Sequence, residues 1–207
     1  MVLATGSLWG LWILFTSHLL LVLCTFVPSL QQFGPVVTKY STPARTVWLT
    51  IDDGPDPQTT PQVLALLEKY GARATFFLIG TKVARYPGLA HMILEAGHSI
   101  GNHTQTHPKF SFWYLGPKGL VREIDEFEST LSSIGVPAPI WFRAPAGIKN
   151  LFLHPILPQG VCEWLHGAHG PLIRGSTILK RLSAGSSARS VREPSSYFMK
   201  RKDPMSA

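Results

Sequence analysis

Trp48-Leu49-Thr50-Ile51-Asp52-Asp53-Gly54-Pro55 is an apolar run enriched in β-forming residues that stops at two adjacent carboxylates and a Gly-Pro break. Inside a strand, neighbouring side chains point to opposite faces, so Asp52 and Asp53 would not share a site there. At a strand end, with Gly54 free to take unusual dihedrals, both carboxylates can be turned toward one pocket. Paired carboxylates suit two tasks, binding a cation and taking a proton. An acidic turn closing a core strand fits the same residues, because short motifs match often by chance. The rest of the chain has to decide between the two.

Downstream, strand and helix signals alternate. Thr46–Ile51 reads as a first strand. A helix follows, with Thr60 as N-cap, Pro61 in its first turn and Gly71 closing it. Ala74–Ile79 has the composition of a strand buried on both faces. Pro87–Ala96 and Leu120–Ile134 carry helical apolar stripes, closed by Gly97 and Gly135, and His98–Gly101 and Ile140–Arg143 are short strands. This alternation predicts parallel β/α units.

Two further stretches end strands with chemistry. Gly101-Asn102-His103-Thr104-Gln105-Thr106-His107-Pro108 places two imidazoles four residues apart, a spacing that lets both point at one ion from a helical turn or a tight loop. Gly101 and Pro108 favour the loop, and Thr104 can brace it locally. Two unrelated surface histidines fit this pattern by itself; joined to a carboxylate they make a two-His, one-Asp set with open coordination positions, as in catalytic metal sites. Trp141-Phe142-Arg143-Ala144-Pro145-Ala146-Gly147 again ends an apolar strand with a charge and a Pro/Gly turn. All three signals fall at the C-terminal ends of predicted parallel strands, where β/α barrels build their active sites. An aspartate nucleophile for phosphoryl transfer also ends a strand; the histidine pair speaks against that class.

In order and approximate spacing, Thr50–Pro55, His103–His107 and Arg143–Gly147 resemble the first three motifs of the polysaccharide deacetylases, carbohydrate esterase family 4. The resemblance covers roughly residues 46–157. It implies an α/β fold, a distorted (β/α) barrel incomplete at its C-terminus, and a hydrolase removing N-acetyl or O-acetyl groups from a cell-envelope or chitin-like polysaccharide. It assigns Asp53, His103 and His107 to a divalent metal, Zn²⁺ by expectation, and Asp52 to the general base. Arg143 would hold Asp52 ionised, and the Ala146 backbone N–H would face the oxyanion, where the family usually has an aromatic residue. The family's later motifs, one containing Asp and Trp and one reading Leu-x-His, have no counterpart. His154, His166 and His169 are the downstream histidines and none stands in a Leu-x-His context, so the general acid is unknown. The expectation for residues from about Pro158 onward is a frameshifted or truncated gene; a non-catalytic metal- or carbohydrate-binding relative and an unstable truncated product are the alternatives.

The flanks read differently. Residues 8–27 are uncharged and almost wholly apolar, about the 20 residues that span a bilayer, with Trp9 and Trp12 near one end. Residues 1–30 are therefore expected to be a membrane anchor, in preference to a cleaved signal segment, and 31–45 a linker. Lys39 and Arg45 follow the span with nothing basic before it, which by the positive-inside rule places the domain in the cytoplasm; the family resemblance places it outside, in the cell envelope. Of the 207 residues and formal charge of +7, residues 158–207 carry 8 of the 19 Lys and Arg but 3 of the 12 Asp and Glu. The basic balance therefore belongs mostly to an expected disordered tail, and a nucleic-acid footprint on the folded part is not supported. Cys24 and Cys162 make no disulfide framework.

Overall fold

In the computed structural model, residues 2–26, 33–34, 36–37, 48–157 and 162–163 are described. Five parallel strands, β1 (Leu49–Gly54), β2 (Ala74–Leu78), β3 (Ser99–Asn102), β4 (Trp141–Phe142) and β5 (Cys162–Glu163), lie side by side in chain order. The helices are α1 (Val2–Phe26), α2 (Thr59–Lys69), α3 (Gly80–Arg85), α4 (Pro87–Glu95), α5 (Pro117–Ser133) and the single turn α6 (Leu153–Ile156). Leu49, Thr50 and Ile51 pair with Ala74, Thr75 and Phe76, and Thr75 and Phe76 pair with Ser99 and Ile100.

Period-two alternation divides the sheet into two faces. Ile51, Phe76, Leu78 and Ile100 bury one face under α2 (Val63, Leu64, Leu67), α4 (Ala90, Ile93) and α5 (Phe127, Leu131). Each Val, Leu, Ile or Phe side chain so buried contributes about 1.5–3 kcal/mol. The other face is that of Trp48, Thr75, Phe77, Ser99 and Trp141. There the Trp48 indole N–H donates to Thr75 Oγ1 at 2.7 Å, and Thr75 shares a 2.8 Å bond with Ser99. β2 is thus buried at every position, as its composition requires. Phe77 packs against Gly101, where a Cβ would stand 2.5 Å from its ring, so a side chain at 101 would have to displace the buried ring.

Several boundaries differ from the expected ones. α2 begins at Thr59 with Gln58 at its N-cap position, and the side chain that satisfies N–H groups there is that of Asp56 rather than Thr60: its Oδ1 accepts the N–H groups of Thr59 (2.7 Å) and Gln58 (3.0 Å), while Thr60 Oγ1 accepts the Asp56 N–H in return. α3 had no sequence signal, being a six-residue helix with too few turns to show a period. Gly71, Gly97 and Gly135 do follow helix ends with positive φ. β5 lies within the stretch expected to be tail; parallel pairing to Trp141 and Phe142 uses backbone groups and leaves no side-chain signature. The rest of residues 158–207, and most of the expected linker, lie outside the described residues. α1 includes Leu8–Phe26, 19 residues long and apolar enough to cross a membrane by length and composition, with few of its residues buried.

Candidate metal centre

The ends of β1, β3 and β4 meet. At β1 the register with β2 shifts between Asp52 and Gly54, and the residue that leaves the strand geometry is Asp53 itself, with φ 67°. The sequence pointed to Gly54 for that freedom; the structure puts the left-handed conformation, uncommon in a residue with a Cβ, one position earlier. The effect is to separate the two carboxylates. Asp52 stays in strand alternation with Thr50 and points at Arg143. Asp53 turns to the histidines, its side chain 63 % exposed against 20 % for Asp52.

Arg143, on the first residue after β4, is the most buried ion of the site. Its Nη1 donates to Asp52 Oδ1 and, at 3.0 Å, to Thr50 Oγ1, and its guanidinium lies 4.0 Å from the Phe77 ring centroid. Burial lowers its pKa and the Asp52 carboxylate raises it; an arginine remains charged under both influences. Its main chain serves the other half of the site: the N–H donates to Asn102 O at 2.9 Å, and the carbonyl accepts from His103 Nδ1 at 2.8 Å.

That last bond decides the imidazole. A carbonyl only accepts, so the His103 proton is on Nδ1 and Nε2 is the atom turned inward. Nε2 of His103 lies 3.5 Å from Asp53 Oδ1, and Nε2 of His107 lies 3.3 Å from the same oxygen. Burial first, and then the neighbouring His103, hold His107 below the ordinary imidazole value, favouring the neutral ring. Three electron-pair donors converging within 4.8 Å of one another need a positive charge among them, and their chemistry fits a divalent cation.

The histidine loop is braced at every residue. Thr104 (φ 70°) and His107 (φ 57°) are both left-handed. Asn102 Oδ1 accepts the Thr104 N–H at 2.7 Å, and Thr104 Oγ1 accepts the His107 N–H at 3.0 Å. Buried Glu123 of α5 accepts the Thr106 N–H (2.8 Å) and hydroxyl (2.6 Å), and its carbonyl accepts the Gln105 N–H. On the β1 side, Lys82 Nζ of α3 donates to the Asp53 carbonyl at 2.6 Å. Glu123, Lys82, Phe77 and Thr50 were not singled out from sequence. Glu123 alone left a trace, as a carboxylate one residue before Ile124 on the apolar stripe of α5. Ala146 is exposed and left-handed (φ 55°) in the turn after Arg143, and the bonds and ion pairs that join the other five residues do not include it. His154 packs against Gly34; His166 and His169 lie outside the described residues.

A family model described as polysaccharide deacetylase matches residues 39–154. The chain belongs to that family. It is 49 % identical over 121 residues to a peptidoglycan-N-acetylglucosamine deacetylase of Bacillus cereus, covering 58 % of this chain and 55 % of that protein. Among solved structures, the peptidoglycan deacetylase PdaC from Bacillus subtilis superposes with a TM-score of 0.57 at 30 % identity, over 70 % of this chain and 72 % of that one. A family 4 carbohydrate esterase from Streptomyces lividans, in complex with acetate, gives 0.52 at 26 % identity over 69 % and 89 %. The fold is therefore of the deacetylase (β/α) barrel type, seen here as an open parallel sheet. The chain spans about half the length of the Bacillus cereus relative.

Proposed function

We propose that this chain is a metal-dependent hydrolase that removes acetyl groups from an acetylated envelope polysaccharide, with N-acetylglucosamine units as substrate class. The observation that carries this reading is the separation of the two neighbouring carboxylates, Asp53 toward a converging pair of imidazoles and Asp52 onto a buried arginine. Asp53, His103 and His107 would hold the ion, Zn²⁺ being the fitting choice for two nitrogens and one carboxylate. When bound, such an ion supplies a Lewis acid that polarises the acetyl carbonyl and acidifies water. Asp52 accepts the proton of the attacking water, and Arg143 keeps Asp52 ionised and fixed in direction. The Ala146 N–H is the backbone donor assigned to the developing oxyanion. No described residue is assigned to protonate the leaving amine. The peptidoglycan and chitooligosaccharide deacetylases among the relatives support the substrate class. We also read α1 as a membrane anchor with the domain on the outer side.

Acetate release from N-acetylglucosamine oligomers by the purified full chain, with added Zn²⁺ or Co²⁺ and after chelation, tests this. Release that depends on the ion supports the proposal; the ion bound without release from any acetylated glycan selects a non-catalytic binding relative. Because a positioned general acid contributes about 10²–10⁴-fold, aryl acetates, whose leaving group needs no proton, should be hydrolysed more readily than N-acetyl sugars. Efficient N-deacetylation would instead place an acid in the chain, with His166 and His169 as the first residues to substitute.

A further inference from the structure

Among the described residues, eight large apolar side chains outside α1 are exposed, and five of them share two adjoining loops: Phe110, Trp113, Tyr114, Leu151 and Phe152. Buried Asn150 ties the loops together. Its Nδ2 donates to the carbonyls of Phe112 (2.7 Å) and Leu115 (2.9 Å), and its Oδ1 accepts the Phe152 N–H (2.8 Å). Both loops meet the end of α1. The Phe26 and Trp113 rings lie 6.3 Å apart, and the Lys149 N–H donates to Thr25 O at 3.3 Å. Cys24 and Thr25 are buried there, while residues 8–23 of the helix are exposed.

Depth follows from length. Leu8–Phe26 is 19 residues, which as a helix covers about 28 Å, close to the roughly 30 Å of a bilayer's hydrocarbon core. Phe26, the last residue of the span, then stands at the edge of the hydrocarbon, and whatever touches it stands at headgroup depth. Trp113, which meets it, and its neighbours in the same loop have the composition of that layer: Trp113 stands edge-on to Tyr114, and the Lys109 ammonium lies 6.0 Å from the centre of the Phe110 ring. Scattered exposed apolar residues need no explanation, but a cluster continuous with an apolar helix does. The loop that carries Phe110 begins at His107, and the other follows Gly147, so both loops leave the end of the sheet that carries the metal site.

We propose that this aromatic rim rests in the headgroup layer of the membrane that α1 enters, and so holds the Asp53–His103–His107 end of the sheet close to the bilayer surface. The inference rests on reading α1 as an anchor. It restricts the substrate to acetylated chains within reach of the membrane, rather than polymer far out in the envelope.

The test places a fluorescent, polarity-sensitive label at single cysteines in the full chain, with Cys24 and Cys162 replaced by Ala, in phosphatidylcholine–phosphatidylglycerol vesicles. The sites are Phe110→Cys and Tyr114→Cys, both exposed and so harmless to the fold, with Leu14→Cys in α1 and Ser132→Cys at the far end of α5 as references. Quenching is read with lipids spin-labelled high or low on the acyl chain. The expected result is deep quenching at 14, shallow quenching with a blue-shifted emission at 110 and 114, and none at 132. Deep quenching at 14 with water-like, unquenched labels at 110 and 114 overturns the rim alone. An unquenched label at 14 overturns the anchor and the rim together. An unquenched label at 110 that responds to N-acetylglucosamine oligomers overturns the rim in favour of a sugar platform.

Discussion

The end of β1 and the loop after β3 each bend at a chemistry-bearing residue in the left-handed region, Asp53 and His107, yet they are held in different ways. The β3 loop is laced by Asn102, by Thr104 and by Glu123 from a neighbouring helix, all inside the molecule. The β1 end is short, its carboxylate more than half exposed, and Lys82 reaches its carbonyl from a partly exposed position. The candidate metal centre therefore has a firm half that supplies two imidazoles and a softer half that supplies the charge. Arg143 serves both, with its side chain on Asp52 and Thr50 of β1 and its carbonyl on His103 of β3.

The difference can be broken from the middle outward. Arg143→Ala removes the guanidinium that holds Asp52 and Thr50, keeps the backbone carbonyl on His103, and leaves Asp52 facing an unfilled, buried space. Losing one partner of a buried pair costs about 3–5 kcal/mol, so the urea midpoint of the full chain in detergent should fall steeply, and acetate release should vanish even where the chain remains folded. Next in size is Glu123→Ala. It frees Thr106 and the turn before His107, and loss of such an outer support lowers metal affinity about 10- to 100-fold. Calorimetric titration with Zn²⁺ checks this, and Glu123→Gln, which keeps an acceptor for the Thr106 N–H, should recover part of the loss. The smallest effect belongs to Lys82→Met. A partly exposed hydrogen bond from an ammonium is worth about 1 kcal/mol, so the same titration should weaken only several-fold. If Lys82→Met weakens binding more than Glu123→Ala, the assignment of firm and soft halves is reversed.

The parallel β/α order, the strand ends and the helix-closing glycines were readable because each leaves a local mark: an apolar run, a stripe, a glycine at a stop. The three strand-end signals meet at one end of the sheet because parallel strands bring their C-terminal ends to the same edge. What was unreadable is mostly tertiary and polar. Glu123 lies 17 residues from Thr106, and Lys82 lies 29 from Asp53; neither pairing has a period to betray it. Phe77 looked like any core aromatic of β2, and only the folded sheet sets its ring beneath Arg143. The misplaced cap of α2 and the strain assigned to Gly54 rather than Asp53 share one cause. Composition favours Thr before Pro and Gly at a bend, whereas the chain uses Asp56 and a left-handed aspartate because their oxygens are needed there.

The division of labour between Asp52 and Asp53 is the central claim, and Zn²⁺ titration of three proteins tests it most directly. The natural chain and Asp52→Asn should each bind one ion with similar affinity, although Asp52→Asn releases no acetate, while His107→Ala should bind none in the same range, having lost one of three protein ligands. Loss of the ion from Asp52→Asn as complete as from His107→Ala would contradict the account.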